Sequence, residues 1–136
     1  MKRYLLDTSL LAAYLHNRKT AVSLLSSWVQ KDEAATSMLV YGEVIEYLKG
    51  LPNYQEKYAA LHTILSEIPP YPLTYAILER YADIRRTLRP LHKDIGDIDT
   101  LIAATALEEH FTLVTIDNDF EQVPHLKLKL VNLKAA

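Results

Sequence analysis

The strongest constraint on the fold is an alternation of strand-length apolar runs with helix-length amphipathic ones. Residues 3–6 and 112–116 read as buried strands, and an aspartate closes each of them, Asp7 following the first and Asp117 the second. Residues 33–37 and 126–131 are further strand candidates. Residues 68–73 carry three prolines, so a strand there is very short or lies at a sheet edge. Helical periodicity fills the intervals at residues 9–15, 21–30, 38–49, 54–66, 74–88 and 96–110. Gly50 and Pro52 stop one helix, and Thr74 is the expected N-cap of another that ends before Pro90. Strands separated by helices pair in parallel through crossovers. The expected fold is therefore α/β, a three-layer α/β/α sandwich around a central parallel sheet. Such sheets bind ligands at the carboxyl ends of their strands. Asp7 and Asp117 both fall on that edge.

With 136 residues, 49% of them hydrophobic, the chain can bury a real core, and residues 1–136 are expected to form a single domain. It contains no cysteine, which excludes disulfides, thiolate metal sites and a cysteine nucleophile, and fits a cytoplasmic protein. Its first residues are basic and then apolar, like a signal peptide, but Asp7 interrupts the run. Strand plus helix is the expectation there. No apolar run reaches membrane-spanning length, so no membrane partner is expected. The net charge of −2 argues mildly against nucleic-acid binding. That argument weakens if several acids converge on a cation, because the ion reverses the local field.

Two more acids sit where surface acids usually do not. On the 38–49 helix, Val40, Val44, Tyr47 and Leu48 form the expected apolar face, and Glu43 projects at its rim. A carboxylate there either finds a partner, such as a metal ion or a lysine, or snorkels to solvent. On the 96–110 helix the expected inward arc is Ile98, Leu101, Ile102, Thr105 and Ala106, and Asp99 falls inside it. Asp97 suits the ordinary role of an acid in a first turn. Asp99 shares its face with small apolar residues, which let another element approach closely. Asp117 and Asp119 have a bland reading too, since Asp and Asn are common turn formers. Taken together, the acids suit a hard divalent cation such as Mg²⁺, which prefers oxygen ligands. The five histidines are scattered and form no zinc-like cluster.

Four blocks together carry a resemblance. They are Leu5-Leu6-Asp7-Thr8-Ser9, Ser37 with Glu43 six residues on, Asp99-Thr-Leu-Ile-Ala-Ala-Thr-Ala106, and Val114-Thr-Ile-Asp-Asn-Asp-Phe120. In order and spacing they resemble the PIN-domain nucleases, and more narrowly the VapC-type toxins of prokaryotic toxin–antitoxin pairs. The block beginning at Asp99 is the most specific. The resemblance implies a PIN-like sheet with flanking helices and Mg²⁺- or Mn²⁺-dependent endoribonuclease activity on an RNA substrate. It also implies inhibition by a cognate VapB-type antitoxin and, commonly, a homodimer. Asp7, Glu43 and Asp99 match the family's three core acids, and Asp117 matches a more variable fourth. Asp119 could share or replace that fourth role. Thr115 matches a hydroxyl position beside the site, and Ser9 is another polar neighbour. One departure is Tyr47, in a region where relatives often carry a glycine.

The run from Arg85 to Lys93 holds four cations, Arg85, Arg86, Arg89 and Lys93, and no acid. It could grip phosphate near Asp99, or it is a solvated helix end favoured by the dipole. Among nine tyrosines, Tyr41, Tyr47, Tyr54 and Tyr58 are candidates for base stacking, core or a dimer interface. Two other function classes compete with a nuclease. One is a non-catalytic PIN-like module that binds RNA or protein. The other is an aspartate-based phosphotransferase, but a haloacid-dehalogenase-type enzyme wants a second aspartate at the position of Ser9.

Overall fold

A computed structural model describes residues 3–134. Its strands are β1 (Tyr4–Leu6), β2 (Ala34–Ser37), β3 (Pro70–Tyr71), β4 (Thr112–Thr115) and β5 (Leu128–Leu130). Its helices are α1 (Thr8–Leu15), α2 (Lys19–Gln30), α3 (Met38–Leu48), α4 (Tyr54–Leu65), α5 (Tyr75–Leu88) and α6 (Asp97–Glu108). Each expected element is present, with no end displaced by more than two residues. The proline-rich segment forms only the two-residue β3, at the sheet edge as its missing N–H donors require.

All five strands pair in parallel in the order β3-β2-β1-β4-β5, with the helices flanking the sheet. From β1 the chain builds outward to β2 and β3, then returns to place β4 on the other side of β1. The strand order therefore reverses between β1 and β4, and a crevice opens at their carboxyl ends. Leu6 lies in register with Val114, which brings the residues that follow them, Asp7 and Thr115, to the same edge.

The central strands are buried on both faces. Leu5, Leu6, Leu113 and Val114 are fully inaccessible, as the continuous apolar character of a parallel strand requires. Trp28 of α2 stacks on Tyr4 of β1 with ring centroids 4.3 Å apart. Local capping starts the helices at the sheet edge. Ser37 accepts a hydrogen bond from the Val40 amide at 3.2 Å, and Thr74 does the same for Ile77 at 3.2 Å.

Two side chains depart from the expected apolar faces. Val40, Val44 and Leu48 are buried as α3 periodicity requires, but Tyr47 is 42% exposed. Ile98 of α6 is also 42% exposed, while Thr100, Ala103 and Ala104 are buried with Ile102, Thr105 and Ala106. The cause is the crevice. The first turn of α6 and one flank of α3 face it rather than packed protein. Among the described residues, no helix is long and apolar enough to cross a membrane.

Candidate active site

Asp7 is the anchor of the crevice. It ends β1, caps α1 and is 5% exposed. Its Oδ1 accepts from the Ser9 hydroxyl at 2.6 Å and from the Leu10 amide at 3.1 Å. Its Oδ2 accepts from the Thr115 hydroxyl. Each hydroxyl is in turn held by backbone of the segment leaving β4. The Asp117 amide donates to Thr115 Oγ1 at 3.0 Å, and the Ile116 amide donates to Ser9 Oγ at 3.4 Å. Two strand ends are thereby cross-linked through one carboxylate. Burial pushes the Asp7 carboxyl above its ordinary range, and the hydroxyl and amide donors pull it partly back.

The other acids arrive from α3, α6 and the turn after β4. Glu43 is half-buried, and its Oε1 accepts from the Thr8 hydroxyl. Asp99 sits half-buried in the first turn of α6, where the buried Ala103 leaves room for close packing. Its carboxyl is raised to about 6, first by desolvation and then by the negative charges of Glu43, Asp117, Asp7 and Asp119. The charges that act on Asp99 thus come from α3, from the end of β1 and from the turn after β4. Asp117 accepts from the Asp119 amide at 2.9 Å and so caps the short 3-10 turn Asn118–Gln122. The turn reading of this segment is what these bonds show, and the Asp117 charge also acts on Asp99. Asp119 is exposed, and its charge acts on Asp99 least.

Among the described residues, no ion pair answers this charge. Those present join Arg80 to Glu108 and Arg85 to Asp94 and Asp97, and none reaches the cluster. Carboxylate oxygens are the chemistry a hard divalent ion takes. Among the described residues no three acids or histidines already converge on a single point. A magnesium-type ion needs no such trio, because it binds through one or two carboxylates and retains waters. The carboxylate set fits a hydrated divalent ion.

The structure does not leave Arg85 free for phosphate. Its guanidinium holds Asp94 and Asp97, which fasten the loop leading into α6, and the Tyr81 hydroxyl donates to Asp97 at 2.8 Å. Arg86, Arg89 and Lys93 remain exposed on the same segment. Two histidines are satisfied locally. His16 Nε2 hydrogen-bonds the Tyr47 hydroxyl at 2.7 Å, and His62 Nε2 hydrogen-bonds the Tyr41 hydroxyl at 3.0 Å. Sequence reasoning missed Thr8, which orients Glu43. The available signal was its place directly after the capping aspartate. It also missed Glu46, which joins Glu43, Tyr47 and Ile98 in a cleft of about 750 Å³ beside the acids.

The fold is a small parallel α/β sheet with acidic side chains gathered at its switch point. The chain belongs to the PIN domain family, whose pattern it matches over residues 4–126. It is similar to ribonuclease VapC1 of Haemophilus influenzae (strain R2866), 25% identical over 126 residues that cover 91% of this chain and 94% of the relative. It is similar to ribonuclease VapC19 of Mycobacterium tuberculosis (strain H37Rv), 29% identical over 125 residues covering 90% and 96%. In fold it resembles the crystal structure of VapBC2 from Rickettsia felis bound to a promoter DNA fragment, with a TM-score of 0.86 and 23% identity, covering 95% of this chain and 98% of that one. The structure of FitAcB from Neisseria gonorrhoeae is similar at a TM-score of 0.77 and 24% identity, with coverage of 98% and 99%.

Proposed function

We propose that this chain is a Mg²⁺- or Mn²⁺-dependent endoribonuclease that works as the toxin of a toxin–antitoxin pair. The observation that carries the reading is the uncompensated cluster of Asp7, Glu43, Asp99 and Asp117 at the β1/β4 switch point. Membership of the PIN domain family and relatives named as ribonucleases support RNA as the substrate. Structural neighbours described as VapBC complexes support a VapB-type antitoxin as partner. A homodimer and a cytoplasmic location follow from the same reading, and residues 1–136 act as one domain.

Asp7, Glu43, Asp99 and Asp117 would hold the ion, with Asp119 close enough to share the place of Asp117. When bound, the ion polarises the phosphate, lowers the pKa of water and stabilises the leaving oxygen. The chain's own residues prepare that centre. Ser9 and Thr115 fix the rotamer of Asp7, and Thr8 fixes that of Glu43. Asp99 carries its proton at mildly acidic pH and gives it up when positive charge arrives. Arg86, Arg89 and Lys93, exposed on the segment before α6, would draw the phosphate backbone by charge.

Cleavage of total RNA tests the proposal. The purified chain is expected to cut in Mn²⁺ or Mg²⁺ and to stop in excess chelator. Cutting that survives chelation would exclude the metal, and no cutting with either ion would exclude the activity. Titration calorimetry with Mn²⁺ separates a nuclease from a non-catalytic module, which need not hold an ion at these acids. Thr115→Val tests the positioning of Asp7. It preserves shape but strips the hydroxyl from both Asp7 Oδ2 and the Asp117 amide. Cleavage is expected to fall about 10- to 100-fold, as for other partners of metal ligands. Stability should drop by about 1–3 kcal/mol in a melt, from polar groups left unmatched. Wild-type cleavage in this variant would remove the hydroxyl from the site.

A further inference from the structure

We propose that the cleft beside the acids holds one unstacked guanine of the RNA, stacked on Tyr47 and read by Glu46. The inference rests on the ribonuclease reading and adds a base-recognition site to it. The cleft, about 750 Å³, shares Thr8, Ser9 and Glu43 with the acidic centre, so whatever fills it lies against the group bound there. A nucleotide whose phosphate reaches the acids has its own base within reach of this space.

The walls suit a base better than a backbone. Met38 is 49% exposed, and Tyr47 and Ile98 are each 42% exposed, an apolar surface that water solvates poorly. The Tyr47 ring is already oriented. His16 holds its hydroxyl at 2.7 Å and meets its ring edge-on at 5.7 Å between centroids. An aromatic held this way loses little freedom when a base stacks on it. The charged residues lining the cleft are Glu43 and Glu46, with no lysine or arginine. Phosphate is repelled from such a slot, while a neutral base presenting N–H donors is favoured. A carboxylate only accepts hydrogen bonds. Guanine alone among the standard bases presents adjacent N–H donors, at N1 and N2, on its Watson–Crick edge. The other three place an acceptor beside each donor, facing the carboxylate. Gly42 completes the slot, since a Cβ built there meets nothing within 4 Å and would project into open space.

The test uses the full chain and a random-sequence single-stranded RNA pool in Mn²⁺, with the cut ends sequenced. Wild type is expected to enrich guanine at one fixed position beside the cut. Tyr47→Ala should lower kcat/KM about 10- to 100-fold, the range of a lost base–aromatic stack. Tyr47→Phe keeps the ring and should stay within about threefold of wild type on the same reasoning. Glu46→Gln should lose the guanine preference. Gly42→Leu, which suits helix α3, should fill the slot and cut as poorly as Tyr47→Ala. Unchanged rates and cut sites in both Tyr47→Ala and Gly42→Leu would overturn the proposal and leave the cleft to a protein segment. Enrichment of another base would overturn the assignment to guanine. If wild type cuts nothing, the ribonuclease reading fails by itself. Fluorescence anisotropy with labelled tetraribonucleotides then decides the cleft. Guanine-dependent binding lost in Tyr47→Ala supports the proposal, and base-independent binding overturns it.

Discussion

Asp7→Asn is expected to lower RNA cleavage by about a thousandfold or more while the protein remains folded. The size follows from the several kcal/mol that a bound cation supplies to phosphodiester hydrolysis, at about 1.4 kcal/mol per tenfold in rate. Asp7 is the most deeply buried acid of the cluster, and both its oxygens are committed to hydrogen bonds. Asparagine has nearly the same shape and carries no charge. Oδ1 can still receive the Ser9 hydroxyl and the Leu10 amide, so the α1 cap survives. The new amide nitrogen meets Thr115 Oγ1, which can accept from it once the hydroxyl proton turns away. Burial already works against the Asp7 charge, so neutralising it is not costly to the apo fold. The melting temperature in chelator should therefore lie within a few degrees of wild type. The Mn²⁺-dependent rise in melting temperature should shrink sharply, because an ion that binds only the folded state stabilises according to its affinity. Differential scanning fluorimetry with and without Mn²⁺, alongside an RNA cleavage assay, reads both quantities. Full cleavage in a folded Asp7→Asn protein would remove Asp7 from the centre.

The legible part of this structure is the part that local chemistry dictates. Continuous apolar runs between amphipathic helices announced the parallel sheet, and three prolines confined β3 to the edge. Asp7 was readable because it directly follows β1, and Asp117 because it lies just past the end of β4. The register of β1 with β4 brings Asp7 level with Thr115, two residues before Asp117. Crossover helices lie on a different scale. Periodicity placed Tyr47 and Ile98 on buried faces, because it reports which side of a helix is apolar and not what that side meets. Here both meet an open crevice. Arg85 shows the same limit for charge. A basic run with no acid inside it reads as free cations, yet Asp94 and Asp97, just beyond the run, take up Arg85. Thr8 is the converse case, a residue whose role depends on a partner 35 positions away that spacing alone does not reveal.

Asp99→Asn is expected to separate stability from activity most clearly. Its carboxyl titrates near 6 in the folded chain against an ordinary 3.8, so folding favours its protonated form. The stabilising contribution is fully present below the unfolded value and is lost as pH rises through the folded one. In chelator, wild type should therefore melt at a higher temperature near pH 5 than near pH 7.5, apart from changes common to other groups. A shift of this size corresponds to about 3 kcal/mol if unscreened. Asp99 is half exposed, and solvent screening reduces this to about 1 kcal/mol, which is about 4 °C in a chain of this length. Asparagine carries no titrating proton, so the variant should lose that slope and melt above wild type at pH 7.5. Saturating Mn²⁺ should reverse the order. An ion at one hundred times its dissociation constant adds about 2.7 kcal/mol to the protein that binds it. The repulsion among Asp99, Glu43, Asp117 and Asp7 that weakens the apo protein is what a cation relieves. Cleavage should fall about a thousandfold or more, by the same reasoning as for Asp7. A variant that is less stable than wild type in chelator, with a wild-type response to Mn²⁺, would make Asp99 a structural acid of the α6 first turn. A more stable apo protein that is inactive and indifferent to Mn²⁺ would place Asp99 at the ion.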